Sequence, residues 1–128
     1  MRQAAQTYGK VAKQIASPRE LEADLLLKAA SRLQAIGDAW EGKKHDLDDA
    51  LLYNRKLWTI FLTAVTQDDS PLPPEVRQNV ANLGLFVFKH TVSVLANPRP
   101  QSLGSLISIN RELAAGLLGR PQSATASS

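Results

Sequence analysis

Three proline-containing breaks constrain the fold of this chain more than any other feature. They read "SPRELE" at residues 17–22, "DDSPLPP" at 68–74 and "NPRP" at 97–100. Between the breaks, apolar residues recur every three or four positions, which is the period of an amphipathic helix. No stretch alternates as a half-buried strand does, and no Asn-Gly or Asp-Gly hairpin pair occurs. The pattern predicts an all-α protein, a single small bundle of about five largely antiparallel helices within residues 1–119.

The most N-terminal predicted helix covers residues 1–16. Its apolar stripe consists of Ala4, Tyr8, Val11 and Ile15. A helix this short is marginal in water, so we expect it to dock on its own protein or on another, as a detachable part of the domain. Tyr8, Val11 and Ile15 are therefore candidate partner-binding residues. Residues 120–128 are small and polar, and we expect a disordered tail there.

Four more helices follow from start and stop signals. Small polar residues are expected to cap their N-termini, and Gly42 and Gly119 are expected to end the second and fifth helices. The predicted ranges and caps are about 18–42 (Ser17 with Glu20), 46–67 (Asp46), 74–96 and 102–118 (Ser102). The apolar stripe expected on the second helix is Leu21, Leu25, Ala29, Leu33, Ile36 and Trp40.

The fourth predicted helix is apolar on most sides between residues 80 and 96. This pattern indicates either the central helix of the bundle or a helix that serves two interfaces. A membrane span is not expected, because the apolar run is short and contains Lys89 and His90. His90 lies on an apolar face, where we expect a satisfied core histidine. Phe86 interrupts the polar strip, so Phe86 and Lys89 are candidate partner-binding residues, unless the bundle covers Phe86.

Two buried asparagines are predicted from the helical periodicity. In the third predicted helix, Asn54 lies between Leu51 and Trp58 on an apolar stripe, and Asn110 lies on the apolar stripe of the fifth. The stripe of the third helix consists of Leu47, Leu51, Trp58, Phe61 and Val65. A buried amide costs about 1–3 kcal/mol unless it is paired, but it can fix the register between helices. We expect each amide to bond to a neighbouring helix, or to the other amide. The alternative is that these positions line a groove that receives a partner helix.

An arginine follows each asparagine, in "YNR" at 53–55 and "INR" at 109–111. We expect Arg55 and Arg111 to lie at the edge of the buried stripe and to reach an acid or the carboxyl end of a helix. In the alternative interpretation both arginines contact the partner, and they are candidate partner-binding residues for that reason.

Composition argues against catalysis. The chain has no cysteine and only two histidines, and its glycines are not gathered in a phosphate-binding loop. No set of three or four converging metal ligands is evident around His45 or His90. We therefore expect no enzymatic activity, no cofactor and no metal.

The basic residues give weak support for nucleic-acid binding. The net charge is +3, and lysines and arginines are spread along the predicted helices rather than clustered. The N-terminal residues have neither the apolar core nor the cleavage site of a secretory signal. We expect a cytoplasmic protein.

Several motifs together resemble a known family. They are "SPRELE" (17–22), "YNRKLWTIF" (53–61), "LPPEVRQNVANLGLFVFKHT" (72–91) and "LISINRELAAGLL" (106–118). In order and spacing they resemble the flagellar biosynthesis regulator FlaF family of alphaproteobacteria. The resemblance covers about residues 1–119.

The resemblance implies a small helical protein needed for the production of flagellin, acting alongside the regulator FlbT. Its members look like chaperone-like factors that couple flagellin translation and export to filament assembly. Flagellin's terminal segments are amphipathic helices that self-assemble when free, and an apolar groove could cover them. The expected partners are therefore flagellin and FlbT, with an indirect association with flagellin mRNA. Direct binding of that mRNA through arginine and lysine is the alternative.

Overall fold

The computed structural model describes residues 18–119, which form five α-helices and two short 3-10 helices. No strand occurs in this range, which confirms the all-α prediction. The four long helices correspond to four of the predicted helices. The helix predicted at 1–16, its residues Tyr8, Val11 and Ile15, the cap Ser17 and the tail at 120–128 lie outside the described residues. The α-helices are α1 (Pro18–Asp38), α2 (Trp40–Lys43), α3 (Leu47–Val65), α4 (Pro74–Ala96) and α5 (Gly104–Leu117), and the 3-10 helices are Lys44–Asp46 and Pro100–Leu103.

Helix α1 packs most extensively on α5. At one end of the pair, Pro18 and Glu22 of α1 lie close to Leu117 of α5. At the other end, Gly37 of α1 lies close to Gly104 at the start of α5. The two helices are therefore antiparallel.

Helix α4 packs mainly on α3 and makes little contact with α5. The end of α3 and the start of α4 meet, since Val65 and Val80 line the same groove, so these helices are also antiparallel. Gly84 allows a close approach: a Cβ at this position would lie 2.6–2.9 Å from three atoms of the Leu62 side chain. Of the two interpretations of the apolar fourth helix, the central position is therefore wrong for residues 18–119, because α4 lies at the periphery of this part of the chain.

The α3 stripe is placed as predicted. Leu47, Leu51, Trp58, Phe61 and Val65 are all buried, and α3 supplies the only tryptophan that is fully buried in residues 18–119. The Trp58 and Phe61 rings lie 6.1 Å apart at a tilted angle. Periodicity placed this stripe correctly even though Leu52 and Ile60 of the same helix are large apolar residues that remain exposed.

The stripe predicted for α1 is wrong at its start. Leu21 is 51% exposed and Leu25 is 38% exposed. Ala23, Leu26 and Ala30 are buried instead. Large side chains dominated the prediction, whereas the contact face begins with small alanines, which allow neighbouring helices to approach closely.

The end of α1 and two of the caps also differ from the prediction. α1 ends at Asp38 rather than near Gly42, which lies inside the one-turn helix α2. Asp46 stands at the N-cap position of α3 without a capping bond from its side chain. Ser102 lies inside the second 3-10 helix, and Leu103 is the N-cap residue of α5. In both places a 3-10 helix leads directly into the α-helix, so the capping position is already in a helical conformation.

The remaining boundaries are as predicted. α4 begins at Pro74 and ends at Ala96. Gly119 follows α5 with a φ of 72°, the left-handed conformation that commonly ends a helix and that glycine adopts without strain.

Candidate functional site

A chain of buried amide hydrogen bonds joins three helices. The Trp58 indole Nε1 donates to Asn110 Oδ1 at 2.9 Å, and Asn110 Nδ2 donates to Asn54 Oδ1 at 2.7 Å. Asn110 Nδ2 also lies 3.4 Å from the carbonyl oxygen of Leu26 in α1. Because an indole N–H only donates, the Asn110 oxygen must face Trp58 and its amide nitrogen must face Asn54. The directions of all these bonds are therefore fixed.

Both asparagines point inward, as the periodicity predicts, and each is 0% exposed. The alternative that they line a groove for a partner helix is wrong, because neither amide reaches the surface. Asn54 Nδ2 is buried and has no hydrogen-bond partner within the described part of the chain. Such an orphan donor lowers stability, and it makes the Asn54 amide a less favourable member of the network than that of Asn110.

The two arginines that follow the asparagines are exposed. One residue along a helix is a rotation of about 100°, which carries Arg55 and Arg111 from the buried stripe to the solvent. Neither guanidinium lies within ion-pair distance of a carboxylate of residues 18–119, so the predicted acid contact is wrong there. Arg111 borders a shallow cleft of about 450 Å³, whose wall includes Gln34 and Asp38 of α1.

Phe86 and His90 form one unit on α4. The two rings stack with centroids 5.2 Å apart and an angle of 12° between their planes. His90 Nε2 donates to the carbonyl oxygen of Ser102 at 2.7 Å, so the imidazole is satisfied, but it is half-buried rather than a core residue. Phe86 is 42% exposed, so the bundle does not cover it. Lys89 is exposed as well.

Helix α4 carries two apolar stripes side by side. The buried stripe packs against the bundle and consists of Val80, Gly84, Val87, Thr91 and Val94. The second stripe has the same spacing of four and three residues, one position further along. It consists of Ala81, Leu85, Phe88, Val92 and Leu95, and is called the outer stripe here. Leu85 is 57% exposed and Val92 is 62% exposed, whereas Phe88 and Leu95 are half-buried and pack against the core, so within residues 18–119 the exposed part of the outer stripe is Leu85 and Val92.

An apolar groove of about 420 Å³ opens at one end of the bundle, where α1 and α4 begin and α3 and α5 end. It is called the end groove here. Glu22 lies at its edge, where burial raises the pKa of the carboxyl and the Arg19 guanidinium partly lowers it. The residues that line the groove are Pro18, Arg19, Glu22, Phe61, Ala64, Val65, Ser70, Pro71, Leu72, Val80, Leu113 and Leu117.

Neither apolar surface was predicted as a site from the sequence. The outer stripe could have been found, because its regular spacing within residues 81–95 is visible in the sequence. The end groove could not, because its walls come from four helices and a loop.

Among residues 18–119, no group of three or more acidic or histidine side chains is placed to hold a metal ion. None of the helices in that range is long and apolar enough to cross a membrane.

A comparison with known protein families identifies the family of this chain. The family described as flagellar protein FlaF matches residues 4–117. The chain belongs to the FlaF family. The FlaF match covers the whole described bundle to the end of α5 and also includes residues 4–17. No curated protein and no solved structure matches the chain significantly. FlaF membership makes this a flagellum-related protein and agrees with the resemblance of its motifs.

Proposed function

We propose that this FlaF family protein is a non-enzymatic, chaperone-like regulator in the cytoplasm that binds an amphipathic helix of flagellin. In this role it couples flagellin translation and export to filament assembly. The observation that carries the proposal is the outer stripe of α4 in a flagellar protein, an apolar face on which Leu85 and Val92 are exposed within residues 18–119. Partner helices that bind in this way place apolar residues at intervals of three and four against such a face.

The length and period of the outer stripe suit a helix. From Ala81 to Leu95 it spans 14 residue steps, about 21 Å at 1.5 Å per residue. Alternating steps of four and three give a period of 3.5 residues, which keeps a seam facing a second helix over several turns. Flagellin's terminal segments, which are amphipathic and self-assemble when free, have the chemistry to cover this seam.

The bundle holds α4 in place for binding. The close approach between Gly84 and Leu62 fixes α4 on α3, and the hydrogen bond from His90 to Ser102 ties its second half to the turn before α5. Phe86 stacks on the same imidazole. At about 100° per residue, Phe86 lies on the other side of the buried stripe from the outer stripe, so it is not part of the seam proposed for flagellin.

The aromatic residues support protein binding over direct binding of mRNA. Single-stranded RNA is bound by exposed rings that stack on bases, interleaved with basic residues. In residues 18–119, Trp58 and Phe61 are buried, Trp40 and Phe88 are half-buried, and the exposed rings are Tyr53 and Phe86. Tyr53 lies on α3 and Phe86 on α4, stacked on His90, so they form no row of stacking positions. We propose that any association with flagellin mRNA is indirect.

The test is binding of purified flagellin by the full chain and by a variant that carries Leu85→Glu and Val92→Glu. We expect at least a tenfold loss of affinity with the melting temperature unchanged, because both side chains already face solvent. Ile60→Glu is the matched control, since Ile60 is 66% exposed on α3 and should leave binding intact. Wild-type affinity in the double variant would overturn the proposed surface.

FlbT is the second expected partner, and the same variants separate the two proteins. Loss of FlbT binding with flagellin binding retained would assign the outer stripe to FlbT instead. Affinity for flagellin mRNA that falls steeply with salt and is unaffected by the stripe variant would favour the direct RNA role over both.

A further inference from the structure

The end groove lies where the described bundle meets the rest of the chain. Pro18, the first described residue, is part of its wall, and Leu117 at the end of α5 is another part. Residues 1–17 and 120–128 therefore both join the bundle at the edge of the groove. The outer stripe is a separate surface, with no residue in common with the groove lining.

We propose that residues 1–16 of the same chain occupy the end groove as an intramolecular ligand, through the apolar residues Tyr8, Val11 and Ile15. This inference goes beyond the proposed function, because it concerns a different surface and needs no flagellin. The groove has an apolar wall and a volume within the range of ordinary binding sites.

The apolar content of the two terminal segments indicates which of them is suited to occupy the end groove. Residues 1–16 contain Tyr8, Val11 and Ile15 at helical spacing. Residues 120–128 contain no apolar residue larger than alanine other than Pro121. Only the N-terminal segment therefore has large side chains to bury against Phe61, Leu72 and the other groove residues. The FlaF family match also includes residues 4–17, whereas it ends at residue 117.

Charge favours the end groove over the outer stripe for this segment. Residues 1–16 carry three basic residues, Arg2, Lys10 and Lys13, and no acid. Arg19 and Glu22 both line the groove and offset each other, and Asp68 and Asp69 directly precede the loop residues of its wall, so acidic residues outnumber basic ones there. The Glu22 carboxyl is partly desolvated, so a nearby lysine would favour its charged form. Lys89 beside the outer stripe would instead repel a basic segment.

The covalent link favours docking within one chain. Residues 1–16 are separated from the groove wall by Ser17 alone. A short connection of this kind gives an effective concentration in the millimolar range, so even a weak apolar contact is occupied. A residue before proline prefers an extended conformation, which favours a change of chain direction at Ser17 and lets the preceding segment fold back.

The experiment uses the absence of cysteine in the full chain. A spin label is attached through Gln6→Cys, and the loss of methyl NMR signal is measured at Leu72 and Leu113 in the groove and at Leu85 and Val92 in the outer stripe. We expect strong broadening at the two groove leucines and little at the stripe. Broadening at the stripe, or equal broadening at both surfaces, would overturn the proposal.

Two variants separate docking from mere tethering. In the labelled chain, Val11→Asp with Ile15→Asp should remove most of the groove broadening. Gly9→Asp with Ala16→Asp changes the net charge equally on the opposite side of the predicted helix and should leave the broadening intact. Unchanged broadening in the first variant would overturn the proposal.

Mixing spin-labelled chains with isotope-labelled chains tests the source of the segment. We expect no broadening between chains, and broadening there would assign the groove to a second copy. Flagellin is absent from all these measurements, so failure of the proposed function would not affect their outcome. Conversely, neither variant alters the outer stripe, so failure of this inference leaves the flagellin-binding test unchanged.

Discussion

Asn110 donates from α5 to the side-chain oxygen of Asn54 in α3 at 2.7 Å, in the centre of the core. The two residues are not equivalent. Asn110 also accepts from Trp58 and approaches the Leu26 carbonyl, whereas the amide nitrogen of Asn54 has no partner within residues 18–119. Asn110 is thus the centre of the network and Asn54 is its end.

This asymmetry predicts unequal effects of two substitutions of similar size. Asn110→Leu should lower the free energy of unfolding by about 2–4 kcal/mol, because the Trp58 N–H and the Asn54 oxygen both lose their partner. Asn54→Leu should cost less than about 1.5 kcal/mol, because it also removes the buried unpaired donor. Urea denaturation followed by circular dichroism measures both. Equal costs would contradict the network, and unchanged stability with lost flagellin binding in Asn54→Leu would contradict a register role.

The close approach at Gly84 gives a second prediction. Gly84→Ala should destabilise the bundle by about 1–2 kcal/mol, because Leu62 must leave its present position or α4 must move away from α3. Rotation of the Leu62 tip alone does not relieve the contact, since its Cγ is also within 2.9 Å. In the background of Leu62→Ala the same substitution should become neutral or stabilising.

Gly116→Ala is the matched control for Gly84→Ala. A Cβ at Gly116 meets no atom within 4 Å and the residue lies in α5, so this change should raise the free energy of unfolding by up to about 1 kcal/mol. Thermal denaturation of Gly84→Ala, Leu62→Ala, the double variant and Gly116→Ala tests these predictions. Destabilisation by Gly84→Ala that persists at full size without Leu62 would refute the steric explanation.

Glu22 gives a pH-dependent prediction. Burial raises the pKa of its carboxyl in the folded state, with Arg19 opposing, so ionisation of Glu22 weakens the fold. The contribution of Glu22 to the free energy of unfolding is fully present below the pKa that its carboxyl has in the unfolded state. It is lost as the pH rises through the pKa of the folded state. Glu22→Gln should therefore match the wild type in acid and be more stable at neutral pH. Urea midpoints over a pH series test this, and a less stable Gln variant at neutral pH would show that attraction to Arg19 outweighs burial.

His90 gives a prediction about the position of α4. His90→Phe keeps an aromatic ring beside Phe86 but removes the donor to the Ser102 carbonyl, and should cost about 0.5–1.5 kcal/mol. His90→Gln, which can still donate, should recover part of that loss. Hydrogen exchange should accelerate in the second half of α4 in His90→Phe. Uniform acceleration over the whole bundle would contradict a local role.

The sequence predicted the long helices well because each prediction rested on local chemistry. Pro74 sets the start of α4, and Gly119 ends the helical conformation after α5 by adopting a positive φ. The placement of Asn54 and Asn110 inside the bundle followed from helical periodicity, since large apolar residues surround each asparagine on its stripe.

Other features required neighbouring helices to be in place. Leu21 and Leu25 are as apolar as Leu26, yet only Leu26 is fully buried, because α1 turns its alanine-lined face to the bundle. Caps at Asp46 and Ser102 were predicted from residue type, but the 3-10 helices before α3 and α5 left them without that role. Which side chains are buried and which residues cap a helix therefore depend on how the helices pack together.

By itself, the sequence determined the four long helices of residues 18–119, the buried asparagines and the FlaF resemblance, because each is encoded in spacing along one segment. Only the tertiary structure decided that, among residues 18–119, α4 lies at the periphery with Leu85 and Val92 of its second stripe exposed, and that four helix ends enclose an apolar groove beside Pro18. Periodicity says how many sides of a helix are apolar. Which of those sides remains exposed is decided by the positions of the other helices.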